Sequence, residues 1–572
     1  MKNKDTILKV TATSAFAVAV FLFFRLVYPY HLHYQEQCQM FLFSSDYLLN
    51  TFSIPGGFSD YISRFLIQFF YQAGIGAGII AALATGVQLL TFASCGRKTP
   101  LEYALSFLPA GILVVFMCDE NALLSPFVAV ILGLSFTFLL SASKNKTLRI
   151  LRIIALEILL YLMCGNIAVL VFSVVAVCRE KDWKLALACA AVSLAAAYTA
   201  SHIFNFPFSR LMFGTHYHRY HNVEPLWPWF SALAVAAIAL ADSFAARRPG
   251  AKRVWPAVAA YLLVIGLCVG GVNVMMDSKK EEMMKYTFFT RMQMWNRTIN
   301  TAAEKSPDLP MTVSCLNLAL AMTGEMGEHM FDFYQNGIEG LFPPYQRDHV
   351  SPMPTSEIYW HLGFINTSQR FSFAAQEVIP DFQKSAWTHK RMVEASIVNG
   401  VYDVARKYLE PLKYTIFYRK WALENEKLLN NPELIDSHPV YGRQRALMLH
   451  DRDFMYSDYE MDSMLGLHFI ENRSNTLALQ YLLAWTLLKK DLTRFYDCFQ
   501  LYTGKVMKSY QEGVILYWAE THDGPEGIPS YIAKNIYDRF VKFIKDYSVR
   551  NKAYMEKIYG DTYWYYYYYR SN

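Results

Sequence analysis

The chain has 572 residues, too many for one ordinary hydrophobic core, so at least two structural units are expected. Hydrophobic residues make up 53% and charged residues only 18%, a balance that is apolar for a soluble protein. Residues 1–275 hold 20 Lys+Arg against 12 Asp+Glu and residues 276–572 hold 34 against 36, so the formal +6 belongs to the apolar half and does not signal nucleic-acid binding.

Apolar runs long enough to cross about 30 Å of hydrocarbon fall at 7–28, 70–93, 101–117, 121–141, 185–204, 229–246 and 254–275. The first run lacks a small-residue cleavage site before Tyr28-Pro29-Tyr30, which predicts a retained helix rather than a signal peptide. After it comes a polar stretch, Tyr30-His31-Leu32-His33-Tyr34-Gln35-Glu36-Gln37-Cys38-Gln39, followed by Ser44-Ser45-Asp46-Tyr47. Glu36 and Asp46 are either a metal-binding or general-base pair at the mouth of a bundle, or helix-capping acids on a solvated loop. Pro55-Gly56-Gly57 supplies a turn into an amphipathic segment, Tyr61 to Phe70, that carries Arg64 and suits the membrane interface.

The stretch 150–178 is too long for one upright helix and is interrupted at Cys164-Gly165-Asn166. Charge decides how it is read. If it forms two helices meeting at the break, the clusters Lys2/Lys4/Lys9, Arg97/Lys98, Lys144/Lys146/Arg149, Arg179/Lys181/Lys184 and Arg247/Arg248/Lys252/Arg253 all fall on one side. Only Arg64, Arg210 and Arg219 then occupy the opposite loops. The positive-inside rule therefore predicts about nine spans, a cytoplasmic N-terminus and an extracytoplasmic C-terminus. Arg152 and Glu157 share the fifth span and Asp242 sits in the eighth; Glu157 lies too deep to snorkel and is either half of an interhelical pair or functional.

The loop after the seventh span reads Arg210, then Thr215-His216-Tyr217-His218-Arg219-Tyr220-His221-Asn222-Val223-Glu224. His-x-His-x-x-His has the residue types of a zinc site but no element fixes its geometry, so no metal is expected. The guanidinium groups of Arg210 and Arg219, with His218 between them, suit a lipid phosphate better.

From residue 277 onward the apolar period is helical, with short breaks and no alternating strand pattern. In 385–412, Met392, Gly400, Ala405 and Leu409 fall near the packing positions of a tetratricopeptide repeat, and a looser copy runs from Tyr359 to Pro380. The expectation is an all-α protein: a polytopic bundle over 1–276 and an extracytoplasmic, tetratricopeptide-like solenoid over 277–572. Cys315 and Cys498, the two cysteines of the polar half, are expected to be buried thiols rather than a disulfide. The tail Tyr563 to Tyr569 is read as an edge packing across the last helices or, alternatively, as an aromatic platform.

Glu36-Gln37 with Gln39, Asp46-Tyr47, Pro55-Gly56-Gly57, Phe65 to Phe70 and Leu341-Phe342-Pro343-Pro344 resemble a family of bacterial multi-pass envelope proteins with a tetratricopeptide-like C-terminal half and no assigned activity. In general plan the chain also resembles membrane glycosyltransferases of the GT-C type. That second resemblance implies Glu36 or Asp46 as catalytic base, and Arg64, Arg210, His218 or Arg219 near a polyprenyl-phosphate donor. It departs from the type in having no Asp-Asp or Asp-Glu pair in the first loop. No cofactor is implied. The competing expectation is a non-catalytic scaffold in the bacterial inner membrane, recruiting an envelope protein through its helical half.

Overall fold

The computed structural model describes residues 2–96, 98–140, 145–214, 216–244, 254–348, 350–381, 383–449, 460–522, 524 and 526–570. Arg97, Lys144, Thr215, Arg247, Arg248, Lys252 and Arg253 lie outside them, as do the side chains of Lys2 and Lys4. Secondary structure among the described residues is helical, with one isolated antiparallel bridge between Ala122 and His218.

Two compact units divide the chain. The first comprises 1–281 with the short segments 380–385 and 414–416; the second comprises the remainder. The first unit contains α1 (Lys2–Leu22), extended by a π-helical turn to Val27, then α2 (Tyr30–Gln37), α3 (Ser45–Phe52) and α4 (Gly57–Ile67). There follow α5 (Ala73–Ser94), α6 (Pro100–Leu105), α7 (Phe107–Phe116), α8 (Ser125–Phe136), α9 (Lys146–Cys164) and α10 (Asn166–Glu180). The unit continues with α11 (Trp183–Phe204), α12 (Phe208–Phe213), α13 (Leu226–Phe244) and α14 (Val254–Met275).

Among the described residues, five helices are long and apolar enough to span a membrane: Asp5–Val27, Ala73–Ser94, Trp183–Phe204, Leu226–Phe244 and Trp255–Met275. That is fewer than the nine spans expected from the sequence. The other apolar runs break into shorter pieces: Pro100–Phe116 is divided at Ser106, and Ser125–Leu139 ends in a 3-10 turn. The 150–178 stretch divides at Gly165, as its interruption suggested. Gly165 has φ +75°, a region open to glycine, and a Cβ there would lie 2.9 Å from the Tyr217 hydroxyl. α9 and α10 then pack against one another. α9 also opens on Lys146, Arg149 and Arg152, charges that keep its N-terminal half from reading as a span.

Three of the described basic residues assigned by sequence to one side, Lys146, Arg149 and Arg179, are engaged by neighbouring helix ends. Lys146 pairs with Asp182 at 2.9 Å and Arg149 with Glu180 at 3.1 Å. Asp242 accepts from the Gly96 backbone N–H at 2.6 Å. A Thr99–Glu102 capping box starts α6.

The second unit has helix pairs where the sequence placed them. Pro352–Leu362 and Ile365–Val378 turn at Gly363 (φ +96°), and Ala386–Val398 and Tyr402–Lys413 turn at Gly400 (φ +73°). Met392, Ala405 and Leu409 are fully buried between the latter two. The helices Pro310–Thr323 and Thr476–Leu488 bury nearly every side chain and form the centre of the unit's core. Within it, Arg391 pairs with Glu357 at 2.7 Å and Glu394 at 3.0 Å and lies 4.1 Å from the Trp360 ring centroid. Cys315 and Cys498 are free thiols.

The tyrosine-rich tail is a helix, Tyr563–Tyr569, whose Tyr563, Trp564, Tyr565 and Tyr566 are buried. It therefore packs inward rather than offering a flat platform. Glu512 secures it, accepting the Tyr563 backbone N–H at 2.8 Å, while Trp564 donates to the Glu512 carbonyl at 3.0 Å.

Burial pushes the Glu512 carboxyl up from 4.5 to about 8. The folded chain thus holds a proton that the unfolded chain releases, and the associated stability is complete below pH 4.5 and lost as pH rises through about 8. Glu512→Gln should remove that loss. Thermal unfolding of the full chain in detergent should show the variant gaining on wild type between about pH 5 and about pH 9; a constant difference would contradict the assignment.

Candidate functional site

The π-helical turn that ends the first apolar helix leads through Tyr28-Pro29 into α2, and α2 is the least expected element of the first unit. Its sequence is polar, yet His31, Leu32, His33, Gln35, Glu36 and Gln37 are all buried. A buried helix of eight residues must satisfy its terminal N–H and C=O groups with protein partners. Here both ends are met by charge. The Glu281 carboxylate accepts from the Tyr30 and His31 backbone N–H groups at 2.6 and 3.0 Å. At the other end the Arg219 guanidinium donates to the Cys38 carbonyl at 2.7 Å and the Gln35 carbonyl at 3.3 Å. Anion at the N-terminus and cation at the C-terminus both oppose the helix dipole. His31 contacts the Met117 carbonyl through Nε2 at 3.1 Å, and burial lowers its pKa to about 3, so it is neutral.

Arg219 belongs to a segment, 216–221, that threads through the polar end of the unit. Its backbone N–H donates to the Asn121 carbonyl at 2.9 Å, and the Tyr217 hydroxyl donates to the Cys164 carbonyl at 2.7 Å. Ser125 Oγ donates to the His216 carbonyl. His218 Nε2 lies 3.3 Å from Asp119. One strut thereby ties α2, the 118–125 turn and the α9–α10 break together.

Beside the strut is a buried charged cluster. Asp60, on the inward face of α4, is fully buried and lies 2.7 Å from Arg64 one turn later. Its Oδ2 is also 3.3 Å from His216 Nδ1. Arg64 reaches Asp381 at 3.5 Å, and His221 Nε2 lies 3.4 Å from the same carboxylate oxygen. Two aspartate–histidine pairs are thus bridged by one guanidinium. The turn into α4 is made by Gly56 (φ +92°), where a Cβ would meet the His216 ring at 3.4 Å.

The electrostatics divide the roles. Burial lowers the pKa of His216 even though Asp60 opposes the shift, so its imidazole is neutral near pH 7. Burial disfavours the Arg64 charge, but Asp60 outweighs it and raises the guanidinium pKa. Burial likewise opposes ionisation of Asp381, and the neighbouring His221, with Arg64, keeps its carboxyl below the usual range. His216 Nε2 is buried without a hydrogen-bond partner. A carboxylate at Nδ1 and an unoccupied Nε2 is the arrangement of an oriented general base.

The residues predicted from sequence divide accordingly. Arg64 is in the cluster. Arg219 and His218 are in the strut, spent on α2 carbonyls and on Asp119. Glu36 is buried on α2 and accepts from Gln37 Nε2. Asp46 is exposed in the first turn of α3, whose cap is Ser44, accepting from the Tyr47 N–H at 3.2 Å. Arg210 is half-buried on α12 between exposed Phe208 and Phe213, with no ion-pair partner among the described residues. Sequence reasoning passed over Asp60, although its i,i+4 spacing to Arg64 was legible, and over Asp381, which is more than 300 positions away. Among the described residues no group of three or more His, Cys, Asp or Glu side chains is gathered as metal ligands.

The class is that of an all-helical protein with five helices fit to cross a membrane and a buried polar site in the same unit. The chain belongs to the family of unknown function DUF6057, whose model matches residues 5–570. No curated protein and no solved structure matches it.

Removing the cation at the end of α2 takes away the donor that the Cys38 and Gln35 carbonyls share. Arg219→Ala should cost about 2–4 kcal/mol, and Glu281→Gln less, because the amide oxygen still accepts. Thermal unfolding and limited proteolysis across 28–56 would check this; an Arg219→Ala chain as stable and protected as wild type would refute the clamp.

Proposed function

We propose that the first unit is a membrane transferase of GT-C-like plan, acting on a lipid-linked glycosyl donor, with the Asp60–His216 pair as its acid–base group. The observation that carries this reading is the neutral, buried His216, held at Nδ1 by Asp60 and unpartnered at Nε2. Relative to the sequence expectation, the base moves from Glu36 or Asp46 to His216. Asp60 fixes the tautomer and ring orientation and stabilises the imidazolium that forms.

In this scheme Nε2 takes the proton of an acceptor hydroxyl as that oxygen bonds to the anomeric carbon. The bond from that carbon to the lipid phosphate breaks, and the phosphate leaves with the electron pair. Arg210 is the cation suited to that phosphate, because it has no ion-pair partner among the described residues and sits between two exposed phenylalanines on a short helix. Arg64 and Arg219 are already neutralised or engaged, so their role is to hold the site.

The same reading places the α9–α10 pair and the shorter apolar helices in the bilayer as partial or complete crossings, giving up to nine. The N-terminus is then cytoplasmic in a bacterial inner membrane, and the polar site and C-terminal unit face outward. The alternative is a non-catalytic scaffold. It draws on the two glycine-turned helix pairs of the second unit, which a tetratricopeptide-like surface would use to recruit an envelope protein.

His216→Gln and Asp60→Asn should each lower activity by about 100-fold or more while the protein keeps its membrane abundance. The readout is surface glycan in cells lacking the native copy and complemented with each variant. Wild-type glycan from a His216→Gln chain would sink the catalytic assignment and leave the scaffold. Arg210→Ala should weaken donor use with a smaller effect on stability than Arg219→Ala.

A further inference from the structure

A second polar site lies within the apolar part of the first unit, apart from the His216 cluster. Glu157, two turns before the end of α9, is 1% exposed. Both of its carboxylate oxygens are buried, and the polar side chains nearest to them, the Ser173 hydroxyl of α10 and the Cys189 thiol of α11, are uncharged. Among the described residues no cation pairs with Glu157. Arg152, the nearest on the same helix, is five positions away, which turns it about 140° around the axis rather than onto the same face. The interhelical ion pair that would explain an acid at this depth is therefore missing among these residues.

Glu157 lines a cavity of about 410 Å³ bounded by α9, α10, α11, Met212 of α12 and α13. That volume falls in the range of sites that enclose a small molecule. The polar lining is confined to Glu157, Asn166, Ser173, Cys189 and Ser193; Trp229 and aliphatic side chains complete the wall. Asn166 is already engaged, donating to the Met212 carbonyl at 3.0 Å and accepting from Ser193 at 2.8 Å. Leu194 and Leu240 at the rim are exposed on the surfaces of two helices apolar enough to span.

What is missing is a counter-charge: the acid lies in an apolar enclosure whose other polar groups are uncharged. A primary ammonium carries one positive charge and three N–H donors. We propose that this cavity binds an amphiphile that presents a primary ammonium on an apolar chain. The ammonium donates to the two Glu157 oxygens and to Ser173 Oγ, and the chain lies against Val169, Val174 and Leu194. The ligand supplies the counter-charge whose absence makes an intramembrane carboxylate costly.

The test uses the full wild-type chain in detergent, so no variant has to fold. Dicyclohexylcarbodiimide, an apolar reagent that adds to carboxyl groups in apolar surroundings, should modify Glu157, located by peptide mass. Dodecylamine at about ten times its dissociation constant should slow that modification by about tenfold, as mass action requires for one site. Dodecanol, of equal chain length but uncharged, should not. Protection by dodecanol as strong as by the amine would overturn the ammonium assignment. No modification of Glu157, or no protection by either compound, would overturn the site. None of these outcomes depends on glycosyl transfer, so failure here and failure of the proposed function are distinguishable.

Discussion

The polar end of the first unit depends on the burial of α2. An eight-residue helix made of histidine, tyrosine, glutamine and glutamate cannot repay its own burial through apolar area. It is held by fixed charges at its two ends, the Glu281 carboxylate and the Arg219 guanidinium. The residue supplying the cation is the same one whose backbone pairs with Asn121, so fixing α2 also fixes the 118–125 turn. Low dielectric strengthens such contacts when they are complete and makes each one costly to leave unmade.

Once the strut is in place, His216 has little choice of position. Its carbonyl receives Ser125, its ring lies against the Gly56 turn, and its Nδ1 meets Asp60. Asp60 is itself constrained by Arg64 one turn along α4, and Arg64 by Asp381. The inward face of α4 is built from small and polar residues (Gly57, Ser59, Asp60, Ser63), which lets it pack closely while presenting a carboxylate. A neutral imidazole with one nitrogen oriented and the other unpartnered is thus a product of packing on all sides rather than of any local motif.

The two buried groups, the His216 imidazole and the Glu157 carboxylate, differ in what surrounds them. His216 sits among charges that balance, with Asp60 and Arg64 adjacent. Glu157 sits among aliphatic side chains with hydroxyl, thiol and amide neighbours and no cation. The first environment suits proton transfer by a neutral base, the second a ligand that brings its own charge.

Composition and period carried the all-helical character, the break at Gly165 and the helix pairs turning at Gly363 and Gly400, because these follow from local propensity and from where apolar residues recur. Sequence also offered Glu36, Arg64, Arg210, His218 and Arg219 as polar residues of the outer loops, but their roles depend on partners far along the chain. Arg219 meets carbonyls about 180 positions away and Arg64 meets Asp381, and nothing local encodes such pairings. The count of long apolar helices came out at five because the remaining runs bend or break where Ser106, Gly165 and a 3-10 turn interrupt them, and a hydropathy window averages across such interruptions. By itself, then, the sequence determined which segments are helical and which are apolar. Tertiary structure alone decided which charges neutralise one another and which, like His216 Nε2 and Glu157, are left with capacity to act, because that depends on distances between side chains that the chain order does not contain.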